Sequence, residues 1–272
     1  MSASTNNLSR LSVLACFAHP DDEGFASGGL LAKLAAGGAR VTLVCATNGD
    51  VGEISDPSLA TPENLWQVRK QELRNAMDVT GIPDVRFLDY RDSGMDGTED
   101  NRHPRAYCNS DRDVVLADLE SIMRETNPHV VLTHDPTGGY GHPDHITMSA
   151  HATAAVSRVA DPDGATPLLY YVCFPRDVFR RWWQEMADRN ITPPFAAEAI
   201  DELGTPDSDV TTTVDVMQWV DVKLRSLSCH RTQLHDSGPF HQLPDDVVNM
   251  LMGTEFYQLV TPPGAVDLLA AI

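Results

Sequence analysis

Leu11-Ser12-Val13-Leu14-Ala15-Cys16-Phe17-Ala18-His19-Pro20-Asp21-Asp22-Glu23 is an apolar run that breaks abruptly into one imidazole and three carboxylates. Leu11–Phe17 has the length and composition of a buried strand, and His19-Pro20 ends it in a turn. Further runs of this kind are Arg40–Ala46, Val85–Asp89, His129–Thr133, Leu168–Phe174, Thr211–Val216 and Glu255–Val260. Between the early ones lie helix-like segments at Gly28–Ala36, Pro62–Thr80, Asp111–Glu125 and His145–Ala160. Thr61 is a suitable N-cap for the segment that starts at Pro62, while Gly81-Ile82-Pro83 and Asn127-Pro128 are stop signals.

The strict β-α alternation implies an α/β fold of Rossmann-like type, a mostly parallel sheet with helices on both faces. The strands are apolar nearly throughout, as strands covered on both faces must be. In such a sheet the loops at the carboxyl edge of the strands form the ligand crevice. His19–Glu23, Thr47–Asp50, Arg91–Asp96 and His134–His145 all follow strands, so they are expected to meet there. Residues 1–10 are expected to form a disordered tail, and 11–272 a single domain in which 175–272 supplies helices and loops that cap or complete the fold. Two more helices are expected there, Val216 to Arg231 and Pro244 to Met252.

His19 and Asp22 are close enough within one turn to aim an imidazole and a carboxylate at a common point. Tyr140-Gly141-His142-Pro143-Asp144-His145 repeats the His-Pro-Asp chemistry at the same sheet edge. His145 would complete a set of two nitrogens and one oxygen, which suits zinc with a position open for water. The same set also admits other divalent metals such as iron(II). Acidic residues at a helix start have a simpler role, favouring the helix dipole, but that does not explain His19 or the second loop. Asp21, adjacent to a ligand, is the candidate general base and acid. Tyr140 and His142 are candidate donors to an oxyanion, with Asp144 placed to orient His142.

The formal charge of −19 disfavours nucleic acid and anionic lipid surfaces as partners. Lysine occurs only at positions 33, 70 and 223. No apolar run is long enough to span a membrane, and the first ten residues do not read as a secretory signal. The five cysteines (Cys16, Cys45, Cys108, Cys173, Cys229) are widely spaced and form no Cys-x-x-Cys, which fits a reducing cytoplasm. A homo-oligomer is left open, with Trp182-Trp183 open to reading as an interface, a substrate cap or core.

At Ala18–Glu23 and Gly141–His145 the chain resembles the LmbE-like, or PIG-L, zinc-dependent N-deacetylases. The similarity runs from about Val13 to about Val156, with an echo at His230-Arg231-Thr232-Gln233. The resemblance implies zinc at His19, Asp22 and His145, Asp21 as base, and Tyr140 and His142 beside the oxyanion. It also implies a substrate-binding role for Arg69, and for Asp92 and Met95 in the loop after the third strand. Arg69 read on its own is a surface helix residue pairing with Glu72 or Glu63, and Asp92 an Asx-turn residue.

The activity expected is removal of an N-acetyl or other acyl group from a small molecule containing N-acetylglucosamine. An amidase acting on thiol-sugar conjugates of the mycothiol or bacillithiol kind is the alternative, and it would need a larger pocket beside the metal. A nucleotide-binding protein is disfavoured, because no Gly-x-Gly-x-x-Gly or Gly-Lys-Ser/Thr loop follows the first strand.

Overall fold

The computed structural model describes residues 8–160, 166–193, 196–197, 200, 202–234, 242–260 and 265–272. Its centre is a seven-stranded sheet in the order β3-β2-β1-β4-β5-β7-β6. The strands are β1 (Ser12–Phe17), β2 (Arg40–Thr47), β3 (Asp84–Tyr90), β4 (Val130–His134), β5 (Leu168–Cys173), β6 (Thr212–Asp215) and β7 (Thr254–Leu259). The first five run parallel, and β7 joins antiparallel to both β5 and β6. The expected mostly parallel α/β architecture is therefore present, and residues beyond 175 extend the same sheet.

The helices are α1 (Asp22–Ala36), α2 (Leu65–Thr80), α3 (Arg112–Thr126), α4 (Pro143–Val159), α5 (Arg176–Ala187), α6 (Val220–Leu227) and α7 (Asp245–Met252). Alternation along β1 builds the two cores. Val13, Ala15 and Phe17 face one core with Leu30, Leu34, Leu73 and Met77 of α1 and α2. Leu14, Cys16 and Ala18 face the other with Leu116, Leu119, Met148 and Ala152 of α3 and α4. Each face of the sheet is thus sealed by its own helix pair, which keeps β1 free of solvent along its whole length.

Several expected boundaries shift, each for a local reason. Helix α1 begins at Asp22, not Gly28, because Asp22 and Glu23 suit the first turn of a helix. Its glycines are packing residues: a Cβ on Gly29 would lie 2.6 Å from Val216, and one on Gly24 2.6 Å from Leu227. Helix α2 begins at Leu65 after a turn in which Asn64 Oδ1 accepts from the Thr61 N–H. The helix expected from Val216 to Arg231 is a short 3-10 turn, Met217–Trp219, followed by α6. Helix α5 was not expected, although Val178, Phe179, Trp182 and Met186 have helical spacing. Of the expected disordered tail, residues 1–7 lie outside the described residues, whereas Leu8 donates to the Gly37 carbonyl at 2.8 Å and is placed.

A buried ion pair ties the added strands to the parallel half. Lys223 Nζ is 2.7 Å from Glu255 Oε1, with each side chain only 2% exposed. Glu255 also accepts from the Gly29 and Leu30 N–H groups and from the Tyr257 hydroxyl. Removing one partner of such a pair leaves a charge in low dielectric and costs about 3–5 kcal/mol. Lys223→Met is expected to lower the unfolding free energy in urea by that amount; a loss below about 1 kcal/mol would mean the remaining donors compensate the carboxylate.

Candidate metal and catalytic site

The strand order reverses direction between β1 and β4, and the loops that follow these two strands diverge there to leave a crevice. His19, Asp21 and Asp22 come from the end of β1, His134 and Asp135 from the end of β4, and His142, Asp144 and His145 from the start of α4. The sequence places all of them at carboxyl ends or helix N-termini, and the parallel register brings them together.

His19 Nδ1, His145 Nε2 and the Asp22 carboxylate form a compact triangle. The separations are 3.0 Å for His19–His145, 3.5 Å for His19–Asp22 and 3.2 Å for His145–Asp22. Tetrahedral zinc with bonds of about 2.0–2.1 Å would hold its donors roughly 3.3 Å apart. The outer nitrogens show which way the lone pairs point. His145 Nδ1 is 3.2 Å from the Gly138 carbonyl, which can only accept, so Nδ1 bears the proton. His19 Nε2 is 3.2 Å from Asp144 Oδ2 and 3.5 Å from Asp92 Oδ1, so it too donates outward. Two lone pairs therefore face each other across 3.0 Å beside a carboxylate, an arrangement that demands a proton or a cation between them. Burial disfavours a charged His19, but Asp92, Asp144 and Asp22 outweigh it and hold its pKa well above the usual range. Asp22 is likewise disfavoured as an anion by burial, yet His145 and His134 keep it well below the usual carboxylate range. The donor set fits a divalent cation.

Asp21 stands apart from that triangle. Its backbone lies at φ 114°, a region that side chains other than glycine rarely occupy. Its N–H donates to Glu23 Oε2 at 2.9 Å, while its carboxylate takes no hydrogen bond from any described residue and lines a cavity beside the cluster. Burial and the neighbouring Asp22 push its pKa up to about 7. Two contacts from the far end of the chain hold this turn: His230 Nε2 is 2.8 Å from Glu23 Oε1, and Gln233 Nε2 donates to the Pro20 carbonyl at 2.6 Å. The echo at His230–Gln233 is thus a brace for the first turn.

Tyr140 and His142 border the triangle, with ring centroids 5.3 and 4.9 Å from His145. Burial and nearby carboxylates raise the Tyr140 pKa, so the phenol keeps its proton. His142 Nδ1 accepts from the Asp144 N–H at 3.2 Å, which leaves its Nε2 as the donor. Burial and the neighbouring His19 lower its pKa to about 4, so it stands neutral.

Asp144 does not orient His142 through its carboxylate, as had been expected. That group accepts from Ser93 N–H and Cys108 N–H at 2.8 and 3.1 Å and reaches His19 instead. Helix geometry explains this, because at its N-terminus the Asp144 backbone turns to His142 while the side chain points back across the sheet edge. Asp92 also supports His19; its Oδ1 accepts from Gly94 N–H at 2.8 Å in an Asx-turn.

Arg69 is not a surface residue pairing with Glu72 or Glu63. It is 4% exposed, and it donates to the carbonyls of Gly49 and Glu53 at 2.7 and 2.9 Å, so it shapes the loop after β2. Glu72 instead accepts from Thr232. Met95, in the same loop as Asp92, is 44% exposed.

Two residues beside the site carried no role in the sequence reading. His134 Nε2 lies 3.3 Å from Asp22 Oδ2 and accepts from Ala18 N–H at 3.1 Å, and its ring stacks on His145 at 4.0 Å. Asp135 accepts from Thr137, Gly139 and Thr205 and shapes the glycine-rich loop. His134 ends β4 and Asp135 directly follows it, and that position was their only signal.

The family described as PIG-L: GlcNAc-PI de-N-acetylase matches residues 14–156. Over 268 residues the chain is 39% identical to a 1D-myo-inositol 2-acetamido-2-deoxy-alpha-D-glucopyranoside deacetylase of Geodermatophilus obscurus, covering 91% of each protein. Among solved structures, an N,N'-diacetylchitobiose deacetylase from Pyrococcus horikoshii superposes with a TM-score of 0.61 at 21% identity, covering 95% of this chain and 90% of that one. A 4-carboxy-2-hydroxymuconate hydratase from Pseudomonas putida superposes with a TM-score of 0.57 at 19% identity, covering 95% of this chain and 99% of that one. One fold thus carries both amide hydrolysis and a hydration, so the fold alone does not set the reaction.

Proposed function

The chain belongs to the PIG-L, GlcNAc-PI de-N-acetylase family, and we propose that its site hydrolyses the acetamide of a small N-acetylglucosamine-containing glycoside. The observation that carries this reading is the triangle of His19, Asp22 and His145 with the Asp21 carboxylate free of described hydrogen-bond donors beside it. The two-nitrogen, one-carboxylate set matches zinc with an open position and also admits iron(II).

A divalent cation at this triangle supplies Lewis acidity toward the amide carbonyl and acidifies water. Asp21 takes the proton of the attacking water, for which a pKa near neutrality is suited. The carbonyl carbon becomes tetrahedral, and its developing oxyanion accepts from the Tyr140 hydroxyl and from His142 Nε2–H. The C–N bond then breaks, and Asp21 returns its proton to the departing amine. Acetate and a free amino sugar are the products. Asp144 and Asp92 fix the His19 ring throughout, since a donor at Nε2 keeps Nδ1 turned inward.

Acetate release from 1D-myo-inositol 2-acetamido-2-deoxy-alpha-D-glucopyranoside, the compound named for the Geodermatophilus relative, tests the reading directly. Turnover that disappears on chelation and returns with zinc is expected. Metal-loaded protein that releases no acetate from this glycoside or from N-acetylglucosamine would overturn it.

A further inference from the structure

Beside the triangle the crevice continues into a cavity of about 290 Å³. Asp21, Asp22, His134, Tyr140 and His145 stand at one end. The remaining wall is largely apolar, formed by Phe25, Val172, Phe174, Val178, Phe179 and Trp182. The methyl group of an acetamide needs only a small part of this volume, since one water molecule's share of liquid is about 30 Å³.

An amide has two arms at its carbonyl carbon, and the crevice offers them unlike surroundings. Toward β2 and β3 the side chains are Asn48, Asp50 and Arg91, and Asn48 Oδ1 is buried without a hydrogen-bond partner among the described residues. Asp50 and Arg91 pair with each other there and stay partly exposed, so a hydroxyl-rich sugar meets a polar surface on that side. In the apolar cavity partners are few: away from the triangle and the Trp182 indole, the polar group of that wall is Asp135, which already accepts from Thr137, Gly139 and Thr205. Sugar hydroxyls sunk into this wall would lose their hydrogen bonds to water without replacement. The acyl arm carries no such cost.

We propose that this cavity is an acyl subsite, and that the enzyme cleaves N-acyl glucosamines with apolar chains longer than acetyl in preference to the acetamide. This rests on the amide-hydrolase reading above. The bond broken is the same C–N bond, with water as the only co-reactant and a longer carboxylate as the product. Each methylene removed from water contributes roughly fourfold to binding. Hexanoyl-glucosamine is therefore expected to exceed acetyl-glucosamine by at least about tenfold in kcat/KM, with butanoyl between them.

Val178 lies on α5 and faces the cavity, so Val178→Phe fills it. The hexanoyl-to-acetyl ratio of kcat/KM should fall by about tenfold or more in this variant. A ratio is unmoved by loss of folded protein, which lowers both rates alike, and the milder Val178→Leu should give an intermediate ratio. A wild-type preference for acetyl, or a ratio that neither variant changes, would overturn the subsite. Calorimetric binding of N-hexanoyl- and N-acetylglucosamine to the same zinc-loaded proteins separates the two proposals. If no amide is hydrolysed, the amide-hydrolase reading falls, and the subsite stands only if the hexanoyl compound binds tighter in wild type and loses that advantage in Val178→Phe.

Discussion

Asp21→Asn is expected to lower kcat for acetamide hydrolysis by about 10²–10⁴-fold, the usual span for loss of a positioned general base. Asparagine has nearly the same shape and accepts left-handed backbone angles better than most residues, so the turn at φ 114° is preserved. It cannot take up a proton from water at neutral pH. The triangle of donors is untouched, so metal content should remain that of wild type, and KM should change little because Asp21 acts on water rather than on the sugar. Steady-state kinetics with metal analysis on the same preparation decides the matter. Activity within about threefold of wild type would remove Asp21 from the proton path, and a parallel loss of metal would recast it as a ligand.

The second large effect concerns His145. His145→Ala leaves His19 and Asp22 with an incomplete set, and both activity and stoichiometric metal binding should be lost. A thermodynamic readout accompanies this. A ligand that binds only the folded state at 100 times its Kd stabilises that state by about 2.7 kcal/mol. Metal-free wild-type protein should gain roughly that much when zinc is restored, measured by urea unfolding, whereas His145→Ala should gain almost nothing. An undiminished gain in the variant would place the cation elsewhere, with the neighbouring His134 as the first alternative donor.

Much of this site could be read from the chain because its chemistry sits in two short turns. A parallel strand must end at one edge, so His19, Asp22 and His145 are legible as neighbours in the sequence alone. Side-chain direction was less legible. Asp144 was expected to serve His142, but the residue spacing does not reveal that its carboxylate crosses to His19 and to the backbone of residues 93 and 108. Arg69 shows the same limit, since a helix arginine beside acidic residues resembles a surface ion pair until the loop after β2 folds over it. Helix α1 was legible only from Gly28 onward, because the purpose of Gly24, the close approach of Leu227 in α6, lies about two hundred positions away. Helix α5 and its apolar wall carried a helical spacing, but in a region without the strand rhythm that organises the first half.

The brace on the first turn has a consequence for the order of assembly. His230 and Gln233 reach back across 207 and 213 residues to Glu23 and Pro20. Contacts of such long span cost the most chain entropy to close and form late. All three triangle donors lie within residues 14–156, the stretch that the family shares, yet the turn at Asp21 sits at a backbone angle that costs about 1–3 kcal/mol to hold. A chain that has folded only its first five strands therefore owns the ligands before it owns the geometry. The last third of the polypeptide thus supplies no ligand of the triangle, yet it holds the turn that carries two of them.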